Sequence, residues 1–154
     1  MLNFAIEVAD GTWESSWVWG IPLVVSTVVF HVLCLGLIDG GVTKALDATS
    51  LGRPSLHRFV LVMGSVAFLA TVLHGLEALI WAFAYLQLGA VETPGAAMLY
   101  SLNALTSFGH DNIALDYPWK LLGAIEALNG IMLFGLTTAF LFAIMQRVWF
   151  LGRH

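Results

Sequence analysis

Apolar residues fall in long uninterrupted runs along this chain, and the polar positions gather between them. The run 18–38 contains no Asp, Glu, Lys or Arg. The run between Arg58 and Glu92 contains one such residue, Glu77, and the run 121–146 also contains one, Glu126. A bilayer crossing takes about 20 apolar residues. Lipid cannot hydrogen-bond an exposed strand edge, so each run is expected as a helix. Spans are therefore predicted over 17–38, 58–88 and 119–147. The second is longer than the hydrocarbon layer needs and is expected to tilt or protrude. Pro22 is expected in the first turn or two of the first span, where proline is tolerated.

A fourth element is shorter. Thr93-Pro94 pairs a capping threonine with a proline suited to the first helical position. The helix 94–106 that follows is about 19 Å long by helical rise, too short to cross. It leaves one side of the membrane and must return to that side to feed the third span. Non-helical backbone at membrane depth persists only where protein buries it or water lines it. One subunit with three spans cannot enclose such a loop, whereas four copies around an axis can.

Composition agrees with a membrane protein. The chain has 154 residues, 59% hydrophobic and 10% charged, against roughly 25% charged in soluble domains. Lys44, Arg53, Arg58, Arg147 and Arg153 flank one set of helix ends. Glu7, Asp10, Glu14, Glu92, Asp111 and Asp116 lie toward the other, with Lys120 the single base among them. By the positive-inside rule the basic side is cytoplasmic. The N-terminal segment 1–16 is then outside, the loop 39–57 and the tail 148–154 inside, and the location is a cell membrane. Trp13, Trp17, Trp19, Trp119 and Trp149 sit near predicted helix ends, as interfacial anchors do. No signal peptide or lipidation motif is read at either end. The lone Cys34 excludes an intrachain disulfide and a cysteine metal site. Without a basic patch, nucleic acid is not an expected partner.

The loop after the short helix reads LTSFGHDNI over 105–113. With the short helix before it and the third span after it, this segment resembles the pore loop of the potassium-channel superfamily. Thr106 and Ser107 take the threonine positions before that family's filter, Phe108 the valine position, and Gly109 the first glycine. His110 stands for the tyrosine, Asp111 for the second glycine and Asn112 for the acidic position. The segment IEALNGI also looks like the family's inner helix, with Glu126 near the filter and Gly130 as a bend. The resemblance covers about a third of the chain, 97–145. It implies an all-α membrane protein: three transmembrane helices, a re-entrant pore helix and filter loop over 94–113, and a tetrameric potassium-channel-like pore.

The function implied is passive cation conduction by a homotetramer in the lipid bilayer, with no catalytic residues and no cofactor. A permeant monovalent or divalent cation would occupy the filter. Ser107 and Asp111 would meet that cation, and Asp111 in the glycine position argues against strict potassium selectivity. Sodium, calcium or weak selectivity remain open. His110 either forms a ring of imidazoles or packs behind the filter as the family's tyrosine does. Gly130 is a hinge or a close-packing position. Asn129 lines the cavity or bonds a neighbouring subunit.

The remaining polar residues admit other readings. His74 and Glu77, spaced i, i+3, share a helix face. A charge at membrane depth is costly unless paired, so Glu77 is expected to face the pore helix or another subunit, either bracing the pore loop or serving a proton or metal role. His31 is expected as a packed, satisfied histidine. The stretch 134–142 has Thr137 and Thr138 as its only hydroxyls and would form a hydrophobic gate or ordinary packing. A non-conducting channel-like subunit is one alternative. A haem-binding redox protein using His31 and His74 is another, disfavoured because the two are expected at different depths.

Overall fold

The computed structural model describes residues 2–48, 56–109, 115 and 119–150. Four helices follow in order: α1 Leu2–Asp47, α2 Leu56–Gln87, α3 Pro94–Leu105 and α4 Lys120–Phe150. Three of them are long and apolar enough to cross a membrane. The protein is thus all-α and multi-pass in character, with a short helix between its second and third long ones.

The long helices form a bundle with three apolar clusters along its length. At one end Val42 of α1, Val66 of α2 and Ile144 and Val148 of α4 pack together. Arg147 closes this end with bonds to Asp39 at 2.8 Å and to the Thr43 hydroxyl at 3.0 Å. At the opposite end Trp81, Tyr85, Ala97, Tyr100, Leu122 and Ile125 form the largest cluster, with Leu23 and Val24 of α1 against it. Between them lie Ala78, Leu105 and Leu133, flanked by Val28 and Met98.

The ends of α1 differ from the sequence expectation. The helix is continuous from Leu2 through Asp47, so residues 2–16 and the start of the 39–57 loop are helical. Gly40 and Gly41 lie inside it, with open space where a Cβ would stand. Pro22 consequently sits deep in the helix rather than in its first turns. The Ser26 hydroxyl takes up the Pro22 carbonyl at 2.6 Å. The described span Trp13–Asp47 has 35 residues, about 52 Å at helical rise. That exceeds a hydrocarbon layer of about 30 Å, so α1 either tilts or extends beyond it.

Helix α3 begins and ends where the residues dictate. Thr93 is extended and its hydroxyl accepts from the Ala96 amide at 3.3 Å, satisfying one orphan donor of the first turn. Pro94 follows with the fixed φ a first turn needs. Thr106 caps the other end and donates its hydroxyl to the Leu102 carbonyl at 2.7 Å.

Candidate functional site

Along α4, ten residues separate Lys120 from Gly130, a distance of about 15 Å. At that depth the carbonyl end of α3 meets α4: a Cβ on Gly130 would overlap the Leu105 carbonyl oxygen. Ser101, one turn earlier on α3, donates within 2.8 Å of the Ala78 carbonyl, nine residues back from Gln87 on α2. The short helix therefore enters from the Tyr85–Leu122 end and stops halfway down the bundle. Leu115, past its tip, is buried back in the entry-end cluster, so the chain returns to the side it came from.

A buried carboxyl group holds α3 in this position. Glu126 is fully buried on α4. Its Oε2 receives the Tyr85 hydroxyl at 2.5 Å, and its Oε1 lies 2.5 Å from Ser101 Oγ. One side chain thus ties α2, α3 and α4. The Tyr100 ring meets Tyr85 edge-on at 5.2 Å, and its hydroxyl rests in the space left by Gly123. A Cβ at 123 would collide with that hydroxyl, so a larger residue there must displace the Tyr100 side chain.

The tip itself departs from helical backbone. Ser107 has φ 54° and Gly109 φ 98°. Left-handed φ costs glycine nothing and other L-residues about 1–2 kcal/mol. Two amide bonds hold the turn: Ser107 N–H to the Ala104 carbonyl at 2.9 Å, and Phe108 N–H to the Asn103 carbonyl at 3.0 Å. Thr106 and Ser107 are exposed, and Phe108 is 85% exposed. His110, Asp111 and Asn112, with Ile113, Asp116, Arg53 and Arg153, lie outside the described residues.

Two further buried polar groups lie between the long helices. Asn129 of α4 donates its amide to Thr27 Oγ1 of α1 at 2.8 Å, and both residues are fully buried. Its partner is therefore within the same subunit. Glu77, fully buried, bonds His31 Nδ1 at 2.6 Å through Oε1 and His74 Nδ1 at 2.9 Å through Oε2. Both Nε2 atoms face Thr137 Oγ1, at 3.2 Å from His31 and 3.0 Å from His74. Phe134 lies on the His74 ring, 4.2 Å between centroids.

These positions redistribute the expected roles. Glu77, expected against the pore helix or another subunit, binds His31 of α1 and His74 of its own helix; the carboxyl that holds α3 is Glu126. Gly130 carries a close backbone approach, and α4 runs helical through it. The depth mismatch between His31 and His74 is overturned. Their rings lie 5.4 Å apart, because α1 extends to Asp47 and His31 is near its described midpoint. The shared depth does not make a haem slot. Both Nδ1 atoms converge on one carboxylate and both Nε2 atoms on one hydroxyl, so the rings stand side by side with every nitrogen engaged.

Thr27, Tyr85, Ser101 and Thr137 were not singled out as site residues by sequence pattern. Lone hydroxyls in apolar runs leave no periodic trace. Thr137, His31 and His74 fall near the middle of their spans only once α1 is seen to run to Asp47. Comparison with protein-family profiles, with curated proteins and with solved structures finds no match to this chain.

Proposed function

We propose that this chain is the subunit of a homotetrameric cation channel, with α3 as pore helix, 106–112 as filter and α4 lining the conduction path. One observation carries the reading: a twelve-residue helix ends at mid-bundle, with left-handed, solvent-facing backbone at its tip. Irregular backbone at that depth needs water or protein around it. In one subunit the tip is open, with Phe108 85% exposed. Copies of the chain around an axis supply the missing wall and a water-filled centre. The carbonyl end of α3 then directs partial negative charge at the axis, which favours cations. Tethering by Glu126 and Gly130 supports a rigid filter mount rather than a mobile loop.

In this reading Ser107 and Asp111 meet a permeant cation, and selectivity is sodium, calcium or weak rather than strictly potassium. The end carrying Lys44 and Arg147 faces the cytoplasm, with the N-terminus outside. The process is passive and uses no catalytic residue or cofactor.

The test is ion flux into liposomes holding the purified protein, with potassium, sodium and calcium gradients run separately for wild type and Asp111→Asn. Flux whose selectivity shifts with the substitution supports the channel. Absence of flux for every ion, from protein shown to be tetrameric, refutes it and favours a non-conducting channel-like subunit.

A further inference from the structure

Glu77, His31, Thr137 and His74 close a four-membered hydrogen-bond ring. Its links are Oε1 to His31 Nδ1, His31 Nε2 to Thr137 Oγ1, Thr137 Oγ1 to His74 Nε2, and His74 Nδ1 to Oε2. Three of the four links join different long helices: α1 to α2, α1 to α4, and α2 to α4. The hydroxyl is aimed deliberately. Thr27, Thr71 and Thr138 turn theirs back on carbonyls of their own helices, as hydroxyls in apolar helices do. Thr137 instead bonds only the two imidazoles.

Four links need four hydrogens. An ionised carboxylate brings none, each neutral imidazole one, and the hydroxyl one. That makes three, and one link would then set two lone pairs against each other in a buried site. A buried polar group left without its hydrogen bond loses its hydration with nothing in return. We infer that the ring is a binding site for one proton, held between Glu77, His31 and His74 and closing the packing of all three long helices.

The count does not depend on where the proton resides. With the carboxylate ionised and one imidazole cationic, Glu77 accepts twice and Thr137 donates to the neutral ring. With the carboxyl protonated and both imidazoles neutral, the four hydrogens run head to tail in either direction. Each arrangement satisfies every polar atom and leaves the cluster with no net charge, the cheapest condition at membrane depth. A divalent metal on the two Nδ1 atoms and the carboxylate would also place hydrogens on both Nε2 atoms. It would leave a positive charge in the bundle centre and require both short His–Glu bonds to open. Among the described residues, no other titratable side chain bonds to the ring; Cys34, three residues from His31 on α1, is a free thiol. Glu126 is eleven residues from Thr137 on α4, about 16 Å by rise, and is engaged with Tyr85 and Ser101. α3 offers nothing titratable to the ring, and Phe134 covers His74 from α4.

The ring also links packing to a proton: the folded ring uses one that the separated side chains have no links to hold, so losing it leaves one link between the long helices unmade. Glu77→Gln is the diagnostic variant. With one of its two N–H groups and its oxygen turned to the imidazoles, an amide closes the ring with two neutral rings and no added proton.

The experiment is nitrogen-15 histidine and carbon-13 glutamate NMR on the full chain in lipid nanodiscs, with thermal stability followed over pH. At neutral pH the wild-type groups Glu77, His31 and His74 should carry three hydrogens between them. The pair of imidazoles in Glu77→Gln should carry two, with a folded, assembled protein. Raising the pH should remove one hydrogen from wild type and lower its melting temperature, with no such step in the variant. Two hydrogens in wild type at neutral pH would overturn the inference. So would stoichiometric bound metal with hydrogens on Nε2 alone. If Glu77→Gln fails to fold, the wild-type hydrogen count still decides.

Discussion

The Leu105 carbonyl rests directly on Gly130, so the end of the short helix and the middle of α4 share one backbone contact with no side chain between them. A methyl at 130 must push against backbone atoms, which do not rotate away. Gly130→Ala is expected to lose about 1–3 kcal/mol of stability through overpacking and to shift the 106–109 turn. Thermal unfolding in detergent checks the first. Altered accessibility of a cysteine placed at Phe108 checks the second. An unchanged melting temperature would mean that α3 is free to move off α4.

The Glu126 tether predicts a graded series. Removing one neutral donor, as in Tyr85→Phe, should cost about 1 kcal/mol. Glu126→Ala strands the Tyr85 hydroxyl and a Ser101 contact in a buried site and should cost about 3–5 kcal/mol, while Glu126→Gln retains both neighbours and costs less. In a double-mutant cycle, Tyr85→Phe and Ser101→Ala should couple through Glu126. Additive effects would show that the carboxyl does not join them.

Thr27 and Asn129 are coupled across α1 and α4. Thr27→Val keeps the shape and removes the hydroxyl, leaving the Asn129 amide without its partner in a buried site. A loss of about 1–3 kcal/mol is expected. The pair Thr27→Val with Asn129→Leu should recover part of it, since two apolar partners leave nothing unsatisfied. Equal losses in the single and double variants would refute the pairing.

At the opposite end the Arg147–Asp39 bridge is about 40% exposed on each side. Exposed ion pairs contribute about 0–1 kcal/mol. Asp39→Asn should therefore leave the melting temperature nearly unchanged, and the small difference should vanish in high salt. A large loss would reveal that a neighbouring subunit or headgroup layer buries this bridge.

The three long helices and the short one were legible because long apolar runs and the Thr93-Pro94 cap are local signals. The carboxyl groups were legible as exceptions: a lone Glu77 or Glu126 in an apolar run must find a partner. Which partner was not legible. The loop expected over 39–57 ended the first span at 38, yet α1 continues through Gly40 and Gly41 to Asp47. That error moved the apparent centre of α1 and separated His31 from His74, although the structure brings them side by side. Pairings between helices depend on rotation and register, which no window along one helix contains.

The position of Glu77 bears on how the chain is made. A lone acid at the centre of a helix costs about 2.5–3.5 kcal/mol on translocon insertion scales, and α2 carries one with its neighbour His74. His31 lies in the helix synthesised before it, and Thr137 in the last. The first two helices can therefore leave the translocon as a hairpin with the acid already matched. The hydroxyl that completes the set arrives only when α4 docks, so the insertion of α4 makes the contact that joins all three.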